Sequence, residues 1–103
     1  MRRWIAALAL VPALAWGQSD LCFSVEEREV FTRIALGMQG MLERGATERD
    51  LFALVQPDDL PEMRAAAYEA IAHLTNGRPM SVSGVVSAMQ LACHRAIPPP
   101  PPR

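Results

Sequence analysis

The sequence predicts an all-α fold, a small bundle of three main helices and one short helix closed by one disulfide. Three observations predict it. Apolar residues recur at steps of three and four through most of the chain, Gly45 and Asn76-Gly77 interrupt that pattern as helix terminators, and two cysteines, Cys22 and Cys93, stand near the ends of the periodic region.

The first residues precede this pattern. Arg2 and Arg3 follow Met1, Trp4 to Ala15 is an apolar run interrupted by Pro12, and Ala13-Leu14-Ala15 and Ala15-Trp16-Gly17 both offer small-residue cleavage sites ahead of Gln18. A positive stretch, an apolar stretch and small residues in that order describe a secretory signal, here residues 1–17. The apolar run is shorter than the ~20 residues that a membrane span needs. A twin-arginine signal asks for more surrounding pattern than Arg2-Arg3. A lipoprotein would place its cysteine directly after the small residues, whereas Ser19, Asp20 and Leu21 precede Cys22. The expectation is a periplasmic or secreted chain without a stable membrane span after cleavage, with a helical domain over residues 18–97 and a proline-rich tail over 98–103.

Export sets the reading of the cysteines. An oxidising compartment and a core of limited size favour a disulfide, and two cysteines allow one intramolecular pairing, Cys22 with Cys93. In the chain-entropy account, closing so long a loop restricts the unfolded chain by ~4 kcal/mol. No CxxC pair is present to suggest thiol redox chemistry.

The charges exclude one class of partner. There are 11 acidic and 10 basic residues, and every basic residue is arginine. The arginines are scattered, usually near a carboxylate, so no basic stripe is available for a phosphate backbone and nucleic acid is not expected as a partner.

Each helix has its own signals. Ser24-Val25-Glu26-Glu27 reads as a capping box, which starts the first helix at about Val25 and explains why Glu27 points into its apolar arc. That arc holds Val30, Phe31, Ile34, Ala35, Met38, Met41 and Leu42; Leu36 falls outside it. Gly37 and Gly40 inside the helix each cost up to ~1 kcal/mol relative to alanine, and either permit close approach of another backbone or mark a bend or break. Gly45 ends the helix, Thr47 caps a second with Asp50 three residues on, and Pro57 stops it near Gln56. Asp58-Asp59-Leu60-Pro61 starts the third helix, with a carboxylate near the cap and proline in the first turn. Met63, Ala66, Ala67, Ala70, Ile71 and Leu74 form a narrow, alanine-rich seam along it, suited to close packing of a neighbour within the domain or in a homo-oligomer. Asn76-Gly77 and Pro79 end it. The last helix begins near Ser81 or Ser83 and places Val82, Val85, Val86, Met89, Ala92, Cys93 and Ala96 on one face. The prolines from Pro98 to Pro102 favour an extended solvated terminus over a recognition motif.

No pattern in the chain carries catalytic chemistry. Glu69 and His73 share a helix face but make only half a metal site, so an exposed ion pair is expected. Cys93-His94 lacks the second cysteine of a haem attachment motif, with Gln90 in its place, and His94 points away from the apolar face. Met38, Met63 and Met89 hold core positions, where methionine fills irregular space, so thioether metal binding is not expected of them or of Met41 and Met80. Ser81, Ser83 and Ser87 have no glycine-framed elbow around them. Tyr68, beside the third seam, suits either half-buried packing or an interface anchor. Neither cofactor nor metal is expected, and no catalytic residue is assigned.

Cys22, the run from Arg44-Gly45 through Ala46-Thr47-Glu48-Arg49-Asp50-Leu51, the alanine-rich helix with Tyr68 and the terminal helix ending in Cys93 together resemble a loose group of small exported proteobacterial helical proteins. The resemblance spans most of the mature chain, on a short and permissive signature, and implies no activity. The functional expectation is a non-enzymatic protein-interaction module whose partner is another envelope protein. The alternative is an acid- or envelope-stress factor similar in size and layout to periplasmic acid chaperones, which holdase activity on a client at strongly acid pH would distinguish.

Overall fold

The structure is a computed structural model that describes residues 21–98. The expected signal segment and the tail beyond Pro98 lie outside the described residues. Four helices follow in order: α1, Val25–Glu43; α2, Glu48–Phe52; α3, Pro61–Thr75; and α4, Val82–Ala96. No strand occurs among the described residues, so the all-α class and the pattern of three main helices and one short helix are as the periodicity predicts.

The helix ends show which local signals operate. At α1 the Ser24 hydroxyl accepts from the Glu27 backbone N–H at 3.0 Å, but the carboxylate of Glu27 does not return a bond to the cap, so only one half of the expected box forms. At α2 both halves form: Asp50 N–H donates to the Thr47 hydroxyl at 3.2 Å, and Thr47 N–H donates to the Asp50 carboxylate at 2.8 Å. This helix closes at Phe52 rather than near Gln56, because the backbone tightens into single turns, Leu54 N–H to Leu51 and Val55 N–H to Phe52, before Pro57 is reached.

The start of α3 departs from expectation in a different way. Leu60 is its N-cap, with no side-chain cap, and Pro61 opens the helix with its preset φ. The Asp59 carboxylate turns backwards and accepts from Gln56 N–H at 2.9 Å, closing the preceding turn. Arg64 reaches over the same turn and donates to the carbonyls of Pro57 and Asp59. The connector between α2 and α3 is therefore an ordered piece of backbone held at both ends. Gly45 and Gly77, at φ of +101° and +80°, supply the left-handed positions after α1 and α3 that side chains with a Cβ resist.

The helices pack around Phe31, Leu51, Ile71, Val85, Val86 and Met89, all fully buried, with Cys22 among them. Each such apolar side chain contributes about 1.5–3 kcal/mol relative to an exposed one. Helix α4 is central: it packs most extensively on α3 and also on α1, while α1 and α3 meet over less of their length. Ala66, Ala70 and Ile71 are buried within the domain, so this part of the alanine seam serves the intramolecular core, while Met63, Ala67 and Leu74 are only partly covered. Gly37 and Gly40 neither break α1 nor admit a neighbouring backbone; only the Arg44 side chain approaches Gly40, and nothing lies within 4 Å of a Cβ built at Gly37. Val30, expected on the buried arc, is 38% exposed at its edge. Leu36, which the arc leaves out, is exposed as its position predicts.

Cys22 and Cys93 are bonded, with Cα atoms 5.9 Å apart and a sequence separation of 71. The bridge fastens the segment before α1 to the last turns of α4. Among the described residues no helix is long and apolar enough to cross a membrane.

Candidate functional site

Where α1 and α3 diverge, the fold leaves a groove of about 810 Å³. Helical spacing aligns Ile34, Met38 and Met41 along one wall and floor, since residues four and three apart share a face. The facing side comes from the connector, through Leu54, Val55 and Leu60, and from Met63 and Ala67 on α3. Gly37 lies in the α1 wall, and the open space where its Cβ would stand shows that a side chain there would project into the groove. The groove is thus wide in part because position 37 has no side chain.

Charges of both signs border this apolar surface. Arg33 lies on α1 and Arg44 is its C-cap, about three helical turns further on and so on nearly the same side. Asp58 and Asp59 lie on the connector. Among the described residues neither guanidinium is hydrogen-bonded or ion-paired, and the Asp58 carboxylate has no partner. Asp59 uses one carboxylate oxygen on Gln56 N–H. The border therefore offers donors on one wall and acceptors on the other around a floor rich in methionine, whose flexible thioether chains adapt to apolar partners of different shapes. Volume and lining together suit non-covalent docking of an apolar group framed by polar ones.

Of the residues singled out in the sequence, Met38, Met41 and Met63 meet at the groove, while Tyr68, Glu69, His73, Met80, Met89 and His94 do not. The Glu69 carboxylate and His73 Nε2 are 2.9 Å apart, as their spacing predicts, yet both are part-buried rather than freely exposed. His73 Nδ1 is buried without a partner among the described residues. No cluster of three or more histidine, cysteine or carboxylate groups suited to a metal occurs among the described residues. His94 is exposed and rests against Phe23, with ring centroids 5.6 Å apart. Tyr68 on α3, 45% exposed, meets Phe52 of α2 with ring centroids 5.7 Å apart. Met38 and Met63 border the groove as well as the core, so their core placement and their surface role coincide.

Sequence reasoning missed two things. The groove was hidden because α1's apolar arc reads as uniformly core-facing, and only the splay of α1 from α3 leaves part of it open. Gln90 was missed as a buried polar residue: it lies 6% exposed on α4 and accepts from Arg28 Nη1 at 2.8 Å, while Arg28 Nη2 donates to Ser83 at 3.2 Å. Its position beside the Met89 face was the available signal.

Compared with protein-family models, curated proteins and solved structures, the chain matches none.

Proposed function

We propose that this chain is a small, exported, non-enzymatic docking protein that binds an apolar segment of another envelope protein in the groove between α1 and the connector. The observation that carries this reading is the open, methionine-rich groove with unpaired charges on its border and a glycine in its wall. The leader-like first residues and the disulfide support an assignment to the periplasm or the medium, where such bonds persist. Supporting a binding role over a catalytic one, the polar groups at the groove are spread along its border instead of converging on one point, as a reacting centre requires.

A substitution that fills the groove tests the reading. Gly37→Leu places a side chain into space that nothing occupies and replaces a poor helix former by a good one, a gain of about 0.8–1 kcal/mol. The expected outcome is a rise in Tm of roughly 4–8 °C together with loss of docking. Docking is read by a photo-crosslinking residue at Leu54 in cells exporting the protein: a discrete adduct forms, and Gly37→Leu removes it. A crosslinker at Leu91, exposed on α4 and outside the groove, serves as control. An adduct indifferent to Gly37→Leu would remove the groove from the function.

A further inference from the structure

We infer that, when no other protein occupies it, the groove is covered by a second copy of this chain, with the connector of each copy lying in the groove of the other. This deepens the docking reading above and rests on it.

A two-fold contact joins a surface to itself, so each charge must find its opposite on that same surface. The groove border satisfies this condition, with Arg33 and Arg44 on the α1 wall and Asp58 and Asp59 on the connector wall. Two face-to-face arrangements are available to such a surface. A two-fold axis running along the groove exchanges the walls and sets the arginines of each copy against the aspartates of the other. An axis running across the groove sets like charges together, which is disfavoured. The charge pattern therefore selects the first.

Shape agrees with charge. Leu54 and Leu60 on the connector are 49% and 61% exposed, so the groove's acidic wall carries accessible apolar side chains, the ridge of this arrangement. With the axis offset towards that wall, the ridge of each copy enters the other's groove. Leu54 and Leu60 then rest on the methionines of the other copy, and Asp58 faces its arginines. The connector can serve as a ridge because Asp59 and Arg64 hold its backbone in place.

Sedimentation equilibrium on the mature, disulfide-bonded chain tests this. The expected result is a dimer at high micromolar concentration, weakened about tenfold or more by the double variant Arg33→Glu/Arg44→Glu and by Asp58→Arg, each alone. An equimolar mixture of the two variants restores a 1:1 dimer, because each supplies the charge the other now needs. Gly37→Leu, which retains or raises helicity by circular dichroism, is monomeric. A wild-type chain that stays monomeric, a dimer unaffected by either reversal, or a mixture that remains monomeric overturns the inference. The Leu54 crosslink separates this failure from that of the docking reading. A monomeric protein whose groove-dependent adduct contains a different protein overturns the self-association alone, whereas a groove-independent adduct overturns the docking reading.

Discussion

Arg28 Nη1 donates to Gln90 Oε1 across 2.8 Å, joining α1 to α4 between residues 62 apart in sequence. The acceptor lies on a 6% exposed side chain, and the same guanidinium reaches Ser83 with its other nitrogen. This one arginine therefore sets the position of α1 on α4 close to the disulfide end of the domain.

Removing that donor leaves a buried amide oxygen without its partner. Arg28→Ala is expected to lower stability by about 2 kcal/mol, in the range for hydrogen bonds to charged groups. In the double variant with Gln90→Leu the loss is smaller than the sum of the two single losses, since no stranded acceptor remains. Urea unfolding of the four species closes the cycle and measures the coupling; additive losses would show that the bond is energetically idle.

Reduction of Cys22–Cys93 releases a 71-residue separation in the unfolded chain. A stability loss of ~4 kcal/mol is expected on the chain-entropy account, large against the total for a small domain. The check is urea unfolding of the oxidised protein and of a Cys22→Ala/Cys93→Ala variant. A midpoint unchanged by the substitution would show that helix packing alone sustains the fold.

The two N-terminal caps predict unequal costs. Thr47→Ala removes an acceptor from a complete capping box and is expected to cost ~1 kcal/mol. Glu27→Ala is expected to change stability by less than about half of that, because the Glu27 carboxylate makes no bond to the α1 cap. Thermal unfolding of both variants orders them, and a Glu27→Ala loss equal to that of Thr47→Ala would place a reciprocal bond at α1 after all.

Much of the fold was legible because its signals are local. Thr47 with Asp50, Pro61, Gly77 and Ser81 each act within one helical turn, so their effect is readable from a few neighbours. Asp59 shows where that reasoning fails: a carboxylate ahead of a helix serves equally well to cap forwards or to close the turn behind it, and the backbone path of the connector chose the latter. The groove was not legible for a related reason. Ile34, Met38 and Met41 carry the same helical periodicity as Phe31 and Ala35, yet they remain only partly covered or border open space, while Phe31 and Ala35 are fully buried.

By itself the amino-acid order determined that residues between Cys22 and Cys93 form helices, where those helices begin and, α2 apart, where they end to within a turn, and which face of each main helix is apolar. Those properties follow from backbone sterics, capping bonds and a period of 3.6 residues. Only the tertiary structure decided that α4 lies centrally, that Arg28 finds Gln90, and that α1 and α3 part to leave a charged-rimmed groove beside Gly37. The physical reason is that periodicity states which side of a helix avoids water, while the angle and distance between two helices depend on how all their side chains fill space together.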